Sequence, residues 1–231
     1  KMSFSNKPLV FIPARAGSKS IIDKNIQEIN NIPLLLNAIS TSITAGFTPI
    51  VSSDSPLYIS LAKSCPECLS HARQEKDALD DSDVWDAVTD YCSNIDISSN
   101  TIILLLEPTS PFVTSDDIHQ MLKLMSNLKS CEYACNLSAV PATQSYINQR
   151  SLSNDQYAEF IFSDRYRIKF KQESEQPYCF GNLHAIRASF LKHRNIPSKM
   201  PYKLIPFIRS ISIDSQEDLC IARAIATSNN K

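Results

Sequence analysis

Thr101-Ile-Ile-Leu-Leu-Leu106 is a run with no polar residue after its first position. A strand with one wet face alternates apolar and polar side chains, so a run like this one has to be covered on both faces. It reads as a central strand of a parallel sheet, with helices packed above and below. Leu9 to Ile12, closed by Pro13, is a second short apolar run of the same kind. Between the two, strand and helix patterns alternate. Ile32 to Ala45 has apolar residues at Leu35, Leu36, Ile39 and Ile43, a helical period, with Pro33 suited to the first turn and Gly46 to the position just past the end. Pro49 to Ser53 reads as a strand. Asp54 or Ser55 then caps a helix that opens at Pro56 and turns Ile59, Leu61 and Ala62 inward. This rhythm predicts an α/β fold, a doubly wound and mostly parallel sheet.

The second half is less regular. Leu69 to Asp81 is polar and reads as a loop carrying Arg73. Val84, Val88 and Tyr91 mark a helix face, with Trp85 beside them as a packing residue. Ile118, Met121, Leu122, Met125 and Leu128 mark another, capped by Thr114 or Ser115 with Asp116 and Asp117 in its first turn. Tyr133–Val140 and Tyr157–Phe162 look like strands, and Leu219, Ile221, Ala222 and Ile225 form the apolar face of a last helix. No repeat, low-complexity tract or Gly/Ser linker divides the 231 residues, so one domain over 1–231 is expected.

Lys plus Arg (23) nearly balances Asp plus Glu (24), which argues against nucleic acid as a main partner but leaves room for a local basic pocket. The longest purely apolar run, Ile102 to Leu106, is far too short to span a membrane. The first residues lack the apolar stretch of a signal peptide, so a cytoplasmic protein is expected. The seven cysteines are scattered, and only His71 lies close to the Cys65-Pro-Glu-Cys68 pair. Structural thiols in a reducing compartment fit better than a zinc site.

The chemistry-bearing stretch follows the first apolar run. Its loop holds Arg15, Ser18, Lys19 and Lys24 together with Gly17, one of three glycines in the chain. A strand opening into a cationic loop with a flexible backbone point is how α/β proteins hold phosphates at the carboxyl end of a sheet. The spacing is neither that of a P-loop nor G-x-G-x-x-G. Read by itself, the loop is equally a turn with solvated basic residues.

Ile12-Pro-Ala-Arg15-Ala-Gly-Ser18-Lys19, Lys24-Asn25 and Ile32-Pro33-Leu34 together resemble the opening signature of the CMP-sugar synthetases, closest to the N-acylneuraminate cytidylyltransferases. The resemblance continues at Ser52-Ser53-Asp54-Ser55, at Arg73, at Glu107-Pro-Thr109-Ser110-Pro111, at Lys171-Gln172, Tyr178 and Gly181-Asn182, and at Ser212-Ile213-Asp214. It implies the nucleotide-diphospho-sugar transferase type of sheet, and a dimerisation extension around 141–180. It also implies that Arg15, Ser18, Lys24, Asn25 and Arg73 bind the nucleotide. Glu107, Thr109, Lys171, Gln172, Tyr178 and Asn182 would bind the sugar. Arg15, Lys24 and Asp214 would be catalytic, with Mg²⁺ on Asp214. The chain departs from the family pattern at Glu107 (glutamine), Val113 (arginine), Lys171 (arginine) and Ser212 (aspartate), and Gly181-Asn182 inverts the family's Asn-Gly. From the residues alone, Asp54 is a helix cap or a functional carboxylate, Arg73 a ligand contact or part of a solvated loop, and Asp214 a metal ligand or a helix cap.

The activity implied is transfer of CMP from CTP to the anomeric hydroxyl of a sialic-acid-like 2-keto sugar acid, with release of pyrophosphate by a homodimer. A CMP-Kdo synthetase and a non-catalytic CTP- or CMP-binding protein on the same fold are the alternatives. No side-chain base is evident in the sequence.

Overall fold

The computed structural model describes residues 7–73, 83–154, 156–162 and 176–228. The chain opens with β1 (Leu9–Pro13), then a short ribbon of β2 (Glu28–Ile29) and β3 (Ile32–Pro33) that leads into α1 (Leu34–Thr44). β4 (Pro49–Ser53), α2 (Pro56–Lys63), β5 (Leu69–Ala72), α3 (Val84–Ser93), β6 (Ile102–Leu105) and α4 (Ser115–Asn127) follow. The rest is β7 (Tyr133–Ala139), a hairpin of β8 (Arg150–Leu152) and β9 (Ala158–Phe160), then β10 (Tyr178–Arg187), β11 (Tyr202–Leu204) and α5 (Gln216–Ser228).

One seven-stranded sheet has the order β11-β7-β10-β6-β1-β4-β5. β1 pairs in parallel with β4 and β6, β4 with β5, and β7 with β11, whereas β10 runs antiparallel between β6 and β7. The expected doubly wound, mostly parallel sheet is therefore present. Its first half winds outward from β1 to β5. The chain then crosses back to lay β6 on the other side of β1. That reversal opens a crevice at the carboxyl ends of β1 and β6.

Helices cover both faces, as the apolar strands demand. Val10, Ile12 and Leu104 pack on one face against Leu35 and Ile39 of α1, Ala62 of α2 and Met121 of α4. Leu9, Phe11, Ile103 and Leu105 pack on the other against Trp85 and Val88 of α3 and against Phe190. Trp85 is thus a core residue, 7% exposed. A third cluster joins α5 (Leu219, Ala222) to Ile21 and Leu34 and ties the first loop to the end of the chain. No helix among the described residues is long and apolar enough to cross a membrane.

Several local expectations change. Leu69–Ala72 is an edge strand, although Leu-Ser-His-Ala shows no apolar run, because only one of its sides pairs with a neighbour. Ser55, not Asp54, caps α2 through its hydroxyl and the Tyr58 N–H (3.4 Å). Thr114 caps α4 in a capping box with Asp117. Residues 211–214 are irregular, tied to the turn after β6 by the Ile213 N–H, which donates to Thr109 O (2.9 Å). Tyr133–Ala139 is a strand as expected, and Tyr157–Phe162 shortens to β9.

Candidate active site

The crevice is a cleft of about 250 Å³ lined by Pro13, Arg15, Ser18, Lys24, Asn25, Arg73, Val84, Glu107, Pro108, Thr109 and Asp214. Five separate segments meet there: the loops after β1, β5 and β6, the start of α3, and the turn before α5.

The first loop is built to stay in place. Gly17 takes φ +72°, a left-handed conformation that costs glycine nothing. The Ala16 N–H donates to Asp54 Oδ1 (2.8 Å), so Asp54 braces the loop. Asn25, only 6% exposed, lines the cleft but spends its amide on the carbonyl of Arg15 (2.9 Å). Ile21 is buried against α5, and Gln27 Nε2 donates to Ile22 O (3.0 Å). The backbone is held by side chains and a core anchor, and Arg15 and Lys24 line the cleft.

Lys24 Nζ donates to Asp214 Oδ1 at 3.0 Å, closing the ring between the first loop and the last turn, 190 residues apart in sequence. The Asp214 side chain is 73% exposed. It is not the cap of α5. Ser215 takes that role: Asp218 N–H donates to Ser215 Oγ (3.2 Å), and Asp218 Oδ2 accepts from the Ser215 N–H (2.8 Å) and hydroxyl (2.8 Å). These bonds pull the Asp218 carboxyl below its ordinary range against the opposing effect of its burial. Asp214 is thereby left to the cleft.

Glu107 lies two residues past the end of β6 and lines the cleft. Burial raises its carboxyl above the ordinary range; the nearby Asp214 carboxylate adds to this and Lys24 opposes it. Thr109 is buried, and its carbonyl holds Ile213 beside Asp214. Asn37 Nδ2 donates to Pro111 O (2.9 Å) and pins the turn after β6 from below.

Arg15, Ser18, Lys24, Asn25, Arg73, Glu107, Thr109 and Asp214 thus share one cleft. Tyr178 and Asn182 lie outside its lining. Tyr178 is half exposed at the start of β10, and Asn182 is buried, accepting from Asn136 Nδ2 (2.9 Å) and donating to Arg209 O (2.9 Å). The neighbouring Gly181 lets β10 approach β7 closely, since a Cβ there would meet Asn136 backbone at 3.0 Å. Val113 is a core residue, 6% exposed, and Ser212 is absent from the cleft wall. Lys171 and Gln172 lie outside the described residues. Pro13, Val84 and Pro108 are wall residues that the sequence did not mark as site residues; neither proline nor valine carries a chemical signal.

Fold and cleft define a class: a doubly wound α/β protein with a cationic, carboxylate-edged cleft at the switch point of its sheet. The sequence profile described as cytidylyltransferase matches residues 9–226, and the chain belongs to the cytidylyltransferase family. It is 27% identical over 186 residues to an N-acylneuraminate cytidylyltransferase of Streptococcus agalactiae serotype V, covering 76% of this chain and 42% of that protein. It is 31% identical over 121 residues to a CMP-N,N'-diacetyllegionaminic acid synthase of Legionella pneumophila, covering 50% of this chain and 52% of that one. The chain spans less than half the length of the first relative and about half that of the second. Its fold matches a CMP:2-keto-3-deoxy-manno-octonic acid synthetase complexed with CTP, with TM-score 0.72, 15% identity, and 96% and 99% of the two chains covered.

Proposed function

We propose that this chain transfers CMP from CTP to a nonulosonic acid. The anomeric hydroxyl oxygen of the sugar acid bonds to the α-phosphorus, the bond from that phosphorus to the oxygen bridging the β-phosphate breaks, and pyrophosphate leaves. The hydroxyl proton is released to solvent or to a group in the cleft. The observation that carries this reading is the convergence of Arg15, Lys24 and Arg73 with Glu107 and Asp214 in the switch-point cleft. Relatives named for sialic and legionaminic acids support the acceptor class.

Phosphoryl transfer rests on positioning and charge neutralisation. Arg15 and Lys24 bear the charge that a triphosphate needs. Lys24 is paired with Asp214 in the free protein, and an ion pair of this exposure is worth about 1 kcal/mol or less. A phosphate therefore displaces Asp214 from Lys24 at little cost. Asp214, largely exposed once Lys24 turns to a phosphate, fits a hard divalent cation such as Mg²⁺, with Glu107 in the same cleft as a second carboxylate. Among the described residues no cluster of three or more ligating side chains forms, so substrate oxygens and water would complete such a site. Mg²⁺ would supply Lewis-acid neutralisation of the phosphate oxygens.

We also propose that the working form is a homodimer. Leu152 (83%), Tyr157 (69%), Ile161 (62%), Tyr202 (53%) and Leu204 (55%) expose apolar surface on the β8–β9 hairpin and the β11 edge. Exposed apolar residues and an open sheet edge favour pairing with a second copy.

The test is a pyrophosphate-release screen with CTP and Mg²⁺ across sialic, legionaminic, pseudaminic and 3-deoxy-manno-octulosonic acids, repeated with Asp214→Ala. Release with at least one nonulosonic acid, lost in Asp214→Ala, is the expected result. Release with the octulosonic acid alone would assign the other sugar branch. CTP binding with no release from any acceptor would make the chain a nucleotide binder.

A further inference from the structure

Behind the cleft wall runs a chain of hydrogen bonds that ends on Arg73. Arg73 Nε donates to Ser52 Oγ (3.0 Å), Ser52 Oγ lies 3.0 Å from His71 Nδ1, and His71 Nε2 lies 2.9 Å from Asp90 Oδ2. The four residues come from β4, β5, the loop after β5 and α3. The imidazole is also bracketed by rings, edge-on to Tyr91 with centroids 5.4 Å apart and 6.5 Å from Phe11.

The donor inventory orients the chain. Arginine can only donate, so Ser52 Oγ accepts from it. The serine proton then goes to His71 Nδ1, and His71 Nε2–H donates to Asp90. This assignment gives Arg73 Nε, Ser52 Oγ and both ring nitrogens of His71 a partner each. The order of residue types invites comparison with a nucleophilic Ser-His-Asp triad, but Ser52 is fully buried and its oxygen is occupied by Arg73. No substrate atom can reach it. Arg73 is the member that lines the cleft.

We propose that Asp90, His71 and Ser52 are positioning residues that fix the Arg73 guanidinium against the nucleotide. The inference rests on the reading of the cleft as a CTP site. Arginine loses considerable rotamer freedom when it grips a ligand, and a guanidinium already held at Nε loses less of it on binding.

The experiment is calorimetric titration of CTP into wild type, Arg15→Ala, Arg73→Ala, Ser52→Ala, His71→Phe, His71→Asn and the His71→Phe/Arg73→Ala double variant, each checked for a cooperative thermal transition. Arg73→Ala is expected to weaken CTP binding by roughly 10- to 100-fold. His71→Phe and Ser52→Ala should each weaken it by about tenfold. Asn places an oxygen where Nδ1 stood, so His71→Asn should recover most of the affinity. In the Arg73→Ala background, His71→Phe should cost nothing further. A His71→Phe loss that persists undiminished in that background would overturn the relay, as would wild-type affinity in both His71→Phe and Ser52→Ala. If His71→Phe does not fold, Ser52→Ala decides alone. Wild-type affinity in Arg73→Ala and Arg15→Ala together would remove the nucleotide reading of the cleft and the relay with it. Relay failure by itself leaves the Arg15 and Arg73 effects intact.

Discussion

Glu107 is held in a setting that disfavours its own charge, which makes it a stability liability. Its pKa is raised in the folded state, so the folded protein binds more protons than the unfolded one between the two pKa values. Stability from this group is therefore present at acid pH and lost as pH rises through the raised value. Glu107→Gln should raise the thermal midpoint at pH 7 to 8 and leave it nearly unchanged near pH 4, as read by calorimetric melting at both pH values. An equal shift at both would mean that the effect is packing and not charge. The sequence marked Glu107 as a departure from the family amide. Its burial and its proximity to Asp214 come from long-range packing that no local pattern carries. Asp214 shows the same limit from the other side. Its two readings, metal ligand and cap, were inseparable in sequence because Ser-x-x-Asp at Ser215 and Asp218 competes for the cap. The hydrogen bonds to Asp218 settle which residue caps the helix.

β10 carries more of the fold than its sequence suggests. Arg187 at its end is 7% exposed and donates to four carbonyls: Cys131 (2.9 Å), Asn100 (3.0 Å), Met125 (2.8 Å) and Leu128 (3.4 Å). It stops the carboxyl end of α4 and ties it to the start of β6, where the positive charge also suits the helix dipole. Arg187→Met keeps the stem and deletes the donors, leaving buried carbonyls unpaired. The cost should be on the order of 3 kcal/mol, a fall of roughly 5–10 °C in the midpoint, measured by thermal denaturation. A fall of a degree or less would show that water replaces the guanidinium. β10 was not legible as a strand, since a glycine, an asparagine and a bulge between Phe180 and His184 break its period. β1, β4, β6 and α1, by contrast, were legible, because double-sided burial forces apolar runs and a helical period survives in an amphipathic segment.

The order of the strands is what makes a site from residues as far apart as Lys24 and Asp214. Alternating strands and helices in the sequence implied the winding. The antiparallel place of β10, and the β11 edge beyond β7, depend on pairings between distant segments. The exposed hairpin and β11 edge should hold two copies together. Sedimentation equilibrium should give twice the 25.9 kDa of one chain, and Leu204→Asp with Tyr202→Asp should shift it toward one. Sedimentation as a single chain in wild type would remove the dimer.

The cleft itself is tested most directly by calorimetric titration of CTP and CMP into wild type, Arg15→Ala and Lys24→Ala. Both variants should lose CTP affinity by roughly 10- to 100-fold, as the loss of a charge-assisted contact requires, while CMP affinity changes much less because, in the proposed function, the missing charges would face the β- and γ-phosphates. Equal CTP affinity in wild type and both variants would contradict the assignment of this cleft as the triphosphate site.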